Sequence, residues 1–156
     1  MIIQPNPAAQ YLALKTTNQN VFDTTYTDDS ELAHVVAMDN RYRFDLFVAF
    51  RLLGATSGYK FRLSAPGDAL SEVLGDAQVF DGALNVVANV KVDANAPFAL
   101  TGALGAGLHT LHARGTIQIA TGFSGKLQFQ FAQNVLDVVN AIRVLNRSYL
   151  EIEGWG

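Results

Sequence analysis

Between Arg41 and Phe50 the chain alternates strictly, with Tyr42, Phe44, Leu46, Val48 and Phe50 on one parity and Arg41, Arg43, Asp45, Phe47 and Ala49 on the other. Successive side chains of a strand point to opposite faces, so this period of two predicts a long, half-buried strand. The pattern returns in Tyr59 to Leu63. It returns again in Lys126 to Gln133, where Leu127, Phe129 and Phe131 share a face opposite Gln128 and Gln130. Tyr11 to Lys15, Glu31 to Ala37, Leu108 to Ala120 and Arg147 to Glu153 read as further strands. Gly115, inside one of them, predicts a bulge or a close backbone approach.

Turn chemistry separates these runs. Asp28-Asp29-Ser30 can bond its own backbone, and Ala65-Pro66-Gly67-Asp68 and Asn95-Ala96-Pro97 stop a strand. Gly54 to Gly58 and Thr121 to Gly125 read as hairpin loops, and Thr101 to Gly107 as a glycine-rich loop. The middle of the chain is less legible: Val86, Val87, Val90 and Val92 favour strands, while Ala69 to Leu74 allows a short helix. Val135 to Leu145 reads as an apolar connection, with a helix as its alternative. Eight or nine strands with turns between them predict an all-β sandwich or barrel. Pro5 and Pro7 hold the start extended, so residues 1–10 are expected to be an arm and residues 11–156 a single domain.

Composition sharpens this picture in three ways. Only 16% of the 156 residues are charged, against about 25% in an ordinary soluble chain, which suggests that a partner covers part of the surface. The net charge of −3 and the scattered Lys and Arg argue against a nucleic-acid partner. Cysteine is absent, which removes disulfides, thiolate zinc sites and cysteine nucleophiles. The opening residues lack the basic and apolar regions of a signal peptide, and no apolar run approaches a membrane span, so no membrane partner is expected.

No catalytic constellation can be assembled from the remaining candidates. His109 and His112 differ by an odd number on one strand and so should face opposite ways, which speaks against a shared metal. Asp28-Asp29 lacks the alternating oxygen ligands of a calcium loop. Gly54 to Gly58 and Thr121 to Gly125 resemble nucleophile elbows only superficially, since the strand-to-helix setting is missing. Glu151 and Glu153 share a strand face, an arrangement more often exposed than catalytic. No cofactor, metal or enzymatic activity is therefore expected. Phe47 is different: an aromatic ring on the nominally polar parity marks a candidate subunit contact.

Arg114-Gly115-Thr116-Ile117, Gly125 to Asn134 and Ser148-Tyr149-Leu150-Glu151-Ile152 resemble a module of tailed-bacteriophage virion proteins, and Asp28 to Leu32 with Arg41-Tyr42-Arg43-Phe44 agrees in outline. That module is similar to the tumour-necrosis-factor-like jelly roll. The resemblance implies a jelly-roll β-sandwich, a homotrimer, and a place on the capsid surface after synthesis in the host cytoplasm. A small domain with a short arm resembles head decoration, or cement, proteins, which bind the major capsid protein. Ile2, Ile3, Pro5 and Pro7 would then lie in a capsid-binding arm. The alternative reading is a fibre-head domain that recognises a host-surface glycan or protein. Val135 to Leu145 departs from the module, whose loop there is short and rich in Ser and Thr.

Overall fold

The computed structural model describes residues 10–66, 71–94 and 99–154, which form strands and loops with no helix among them. The strands are β1 (Gln10–Leu14), β2 (Gln19–Val21), β3 (Thr27–Val36), β4 (Arg41–Leu52), β5 (Tyr59–Ser64) and β6 (Glu72–Phe80). They continue with β7 (Val86–Ala94), β8 (Ala99–Gly102), β9 (Gly107–Gln118), β10 (Gly125–Ala132), β11 (Ile142–Val144) and β12 (Tyr149–Gly154). The larger sheet runs β1-β12-β4-β9-β6-β7, with β11 bridging β4 and β2, and the smaller sheet runs β3-β10-β5-β8.

The connectivity is that of a jelly roll. Setting aside β2, β11 and the β6–β7 pair leaves eight strands; numbered in chain order, they fall as 1-8-3-6 in one sheet and 2-7-4-5 in the other. This is the order produced by two interlocked Greek keys folded into a double sheet. Hairpin β6–β7 is an addition that widens the larger sheet beyond β9.

The alternating strands bury the faces that their sequence predicts. Tyr42, Phe44, Leu46, Val48 and Phe50 of β4 are buried, as are Leu127, Phe129 and Phe131 of β10. These faces meet between the sheets, where Phe50 packs edge-on to Phe61 with ring centres 4.8 Å apart. Tyr59 and Phe129 extend the aromatic core at 5.1 Å and 5.6 Å from Phe61. Rings at such spacings contribute beyond the area they bury.

Several sequence expectations are corrected. Gly54 to Gly58 and Thr121 to Gly125 are not hairpin loops: β4 and β9 lie in the larger sheet, β5 and β10 in the smaller, so both loops cross between layers. The β6–β7 pair is the one place among the described residues where consecutive strands pair. Glu72 to Leu74 is strand, because β6 pairs with both β7 and β9; helix is excluded there. Residues 142–144 of the ambiguous apolar segment form β11 rather than helix, edge-paired to β2 and β4. Thr101-Gly102 and Gly107 belong to strands, leaving 103–106 as the loop. Asp28-Asp29-Ser30 lies within β3, yet Asp29 still bonds its own backbone, accepting from the N–H groups of Glu31 and Leu32 at 2.9 Å each. The strand bulges there, where the register against β10 jumps from Ala33 to Asp28.

Candidate functional site

The two outer faces of the sandwich differ in chemistry. On the smaller sheet the outward residues satisfy one another. Arg62 Nε donates to Gln130 Oε1 at 2.8 Å, Gln130 Nε2 donates to Asp28 Oδ1 at 2.6 Å, and Tyr26 lies beneath the cations of Lys60 and Arg62. Burial raises the Tyr26 hydroxyl pKa, against a smaller lowering by Arg62. This part of the face is a polar network, with Val35 exposed further along β3.

The outer face of the larger sheet is built differently. Strand register places Leu14, Tyr149, Phe47 and His112 directly opposite one another across β1, β12, β4 and β9. Phe47 stacks on Tyr149 at 5.7 Å and meets the edge of His112 at 6.5 Å. All four side chains are half-buried or exposed, so the row is an apolar stripe on the outside of a sheet. Desolvation, with smaller effects from Asp45 and Glu151, raises the Tyr149 hydroxyl pKa.

Beside the stripe lies a groove of about 510 Å³. Its floor is the backbone of Gly75 and Gly115, and its walls are Arg43, Asp45, Asp76, Arg114, Glu151 and Glu153. Gly75 and Gly115 are paired across β6 and β9. A Cβ on Gly115 would stand 2.0 Å from the Leu74 carbonyl oxygen, and one on Gly75 would stand 2.3 Å from that of Arg114. The glycine expected to mark a close approach does so, since the backbones of β6 and β9 meet there with no room for a side chain. Its charges are mixed, with Glu153 opposite Arg43, Arg114 between Asp45 and Asp76, and Glu151 opposite Asp45, so that acids outnumber bases. His112 Nε2 sits 2.8 Å from Asp45 Oδ1, which joins the groove to the stripe.

The histidines divide as their spacing predicts. His112 faces outward, while His109 is buried against Phe50 with Nε2 2.7 Å from the Gly105 carbonyl. His34 packs tilted against Tyr11 with ring centres 4.3 Å apart, distant in the sequence from both. Glu151 accepts from Gln10 Nε2 at 2.6 Å. Of the serines in the elbow-like loops, Ser57 is fully buried and Ser124 Oγ accepts from the Met38 N–H. Among the described residues no group of three His, Asp or Glu side chains is placed to hold a metal ion. Phe47 is thus joined to a set of residues that its own strand could not reveal. The signal available in the sequence was the odd-parity apolar residue on each of three strands: Leu14, Phe47 and Tyr149. Ile2, Ile3, Pro5 and Pro7 lie outside the described residues.

No protein-family model and no curated protein matches the chain. Solved structures with a detectable likeness include that of infectious bursal disease virus, Gt strain, at 9% identity and a TM-score of 0.23 over 96% of this chain and 39% of that one. The VP2 subviral particle of the same virus follows at 7% identity and 0.24, over 94% and 40%. Its T13 viral particle gives 8% and 0.27, over 96% and 39%. The chain spans about two-fifths of the length of those viral chains, and so faint a likeness assigns it neither a family nor an activity.

Proposed function

We propose that this domain is a non-enzymatic structural protein of a tailed-phage virion, a homotrimer that binds the assembled head and stabilises it. The observation that carries the reading is the uncovered Leu14–Tyr149–Phe47–His112 stripe on one sheet, beside a charged groove. Apolar rings flanked by complementary charges are what a subunit contact uses: the rings supply burial and the charges fix register. The opposite sheet, with its polar groups already engaged, remains as the solvent face. The resemblance of the Gly125–Asn134 and Ser148–Ile152 segments to virion modules supports the same assignment.

A trimer that bridges several subunits of the major capsid protein binds with high effective concentration after the first contact. Preference for the assembled lattice over free subunits then stabilises the lattice by linkage. The described residues supply binding surfaces, which favours a binding role over catalysis. The arm containing Ile2, Ile3, Pro5 and Pro7 would add a contact to a neighbouring capsid subunit. The test is the temperature at which heads release DNA, with and without the protein. A rise on saturation supports decoration. An unchanged release temperature together with saturable binding to host cells overturns it in favour of a receptor-binding role.

A further inference from the structure

Lys15 and Asp29 face each other with no exposed area on either side chain. Lys15 follows β1, at the edge of the larger sheet, and Asp29 lies in β3, at the edge of the smaller one. The Lys15 main chain is fixed on both sides, its N–H donating to Ser148 O at 2.8 Å and its carbonyl accepting from the Arg147 N–H at 3.1 Å. Nζ lies 3.1 Å from Asp29 Oδ1 and 3.0 Å from Oδ2, so the amine faces the carboxyl carbon rather than a single oxygen. The two oxygens are held differently. Oδ1 accepts from the backbone N–H groups of Glu31 and Leu32 at 2.9 Å each, whereas Oδ2 accepts no hydrogen bond among the described residues. Glu31 Oε1 lies 3.6 Å from Nζ, anchored by Thr16 and Thr17, and Gln19 Oε1 accepts from Nζ at 3.5 Å.

A buried amine, a carboxyl carbon, two backbone donors aimed at one of its oxygens and a carboxylate beside the amine are the parts of an acyl-transfer site. We infer that Lys15 Nζ and Asp29 Cγ join in an intramolecular amide, formed by the domain itself with loss of one water. Burial disfavours both charges, so a proton passes from the Lys15 ammonium to Oδ2, leaving a neutral amine against a neutral acid. Nζ then attacks Cγ, and the negative charge that develops on Oδ1 meets the Glu31 and Leu32 N–H groups. Glu31 takes a second proton from Nζ and hands it to the Oδ2 hydroxyl; the Cγ–Oδ2 bond breaks and water leaves. Hydrogen bonds that lower the Glu31 pKa to about 2 make its carboxyl quick to release that proton. Nitrogen gives up two protons and the carboxylate one oxygen, so no oxidant, reductant or cofactor takes part. Positioning supplies the activation that free amines and acids lack.

The product replaces two buried charges by a neutral group whose carbonyl keeps both backbone donors, which removes the desolvation cost of the ion pair. It also staples β1 to β3 across the edge between the two sheets. The chain has no cysteine, and this staple is indifferent to redox conditions. The bond forms whatever the domain binds.

Intact mass spectrometry of the purified, folded wild type should give a mass one water below that of its sequence. Chymotryptic cleavage after Phe22 and Tyr26 should leave the peptides containing Lys15 and Asp29 joined, and trypsin should fail to cut after Lys15. Glu31→Gln, purified alongside and checked for its fold by circular dichroism, should keep its sequence mass. A wild type that remains at its sequence mass after prolonged incubation at neutral pH overturns the amide, and this measurement needs no variant to fold. Water loss that maps instead to Asp81-Gly82, where a succinimide has the same mass, also overturns it. Equal water loss in Glu31→Gln overturns the assignment of Glu31 as proton carrier.

Discussion

Lys15 is 1% exposed, an unusual position for a side chain whose charge favours water. Its Nζ lies 3.0 Å from Asp29 Oδ2 and 3.6 Å from Glu31 Oε1, which pins the start of the β1–β2 connection to the bulge of β3. Breaking such a pair strands a buried charge, so Lys15→Met should cost about 3–5 kcal/mol in denaturant melts. Lys15→Met/Asp29→Leu, which removes both charges, should cost markedly less. Glu31 is held differently: hydrogen bonds from the Thr16 side chain, then Thr17, then the Thr16 backbone, lower its pKa from 4.5 to about 2. A depressed carboxyl pKa contributes stability that is complete above its unfolded value and is lost as pH falls through the folded one. The melting temperature should therefore fall between about pH 4.5 and 2, and Glu31→Gln should flatten that part of the profile. Phe129→Ala should cost about 3–5 kcal/mol, the penalty of emptying an aromatic core site. Gln128 faces outward as its parity requires, yet its Nε2 donates to the carbonyls of Asp29 and Phe129 at 2.9 Å. Gln128→Ala should thus cost about 1–3 kcal/mol, the penalty of leaving such groups unmet, where the alternation alone implied a neutral surface site.

At the scale of elements, the pairing of Gly75 with Gly115 decides whether hairpin β6–β7 stays on the sheet. A Cβ on Gly115 meets backbone rather than a flexible side chain, so the strands must part to admit it. Gly115→Ala should destabilise by about 1–3 kcal/mol, the usual cost of forced overpacking. The loss should appear first as faster amide exchange in β6 and β7, while β10 stays protected. How legible the elements were depended on what stabilises them. β4, β5 and β10 alternate because each has one face on the core, and their bounds and buried faces follow from the sequence. β6 and β7 sit beyond β9, where Leu74, Val86 and Val87 remain exposed, so alternation is blurred. β2 and β11 are three residues long and exist because they find each other and β11 also finds β4. No local preference announces so short a strand.

For the whole molecule, the stripe and the groove predict the state of association. Wild-type protein should sediment as a trimer, and Phe47→Arg should yield monomer by setting a cation into the ring stripe. A monomeric wild type would remove the proposed subunit contact. Deleting residues 1–7 should weaken attachment to heads without changing the oligomer mass. Unchanged attachment would place docking wholly on the described barrel. The stripe is assembled from distant segments, since Leu14, Phe47, His112 and Tyr149 meet through four strands. Parity pointed to Phe47, because one strand carries that signal. The stripe was not readable as a surface, because it depends on which strands are neighbours.

The sequence by itself determined the all-β class, the long strands, the core face of each and the opposed directions of His109 and His112. These follow from local geometry, in which side chains alternate and a core takes the apolar parity. The tertiary structure alone decided the rest. It turned two apparent hairpin loops into crossings between sheets, since a loop of a given length and composition can serve either connection. It drew Asp28-Asp29-Ser30 into a strand, because Lys15 waits beneath to neutralise Asp29. It brought two glycines on different strands into backbone contact, a juxtaposition created by register and visible in neither strand alone.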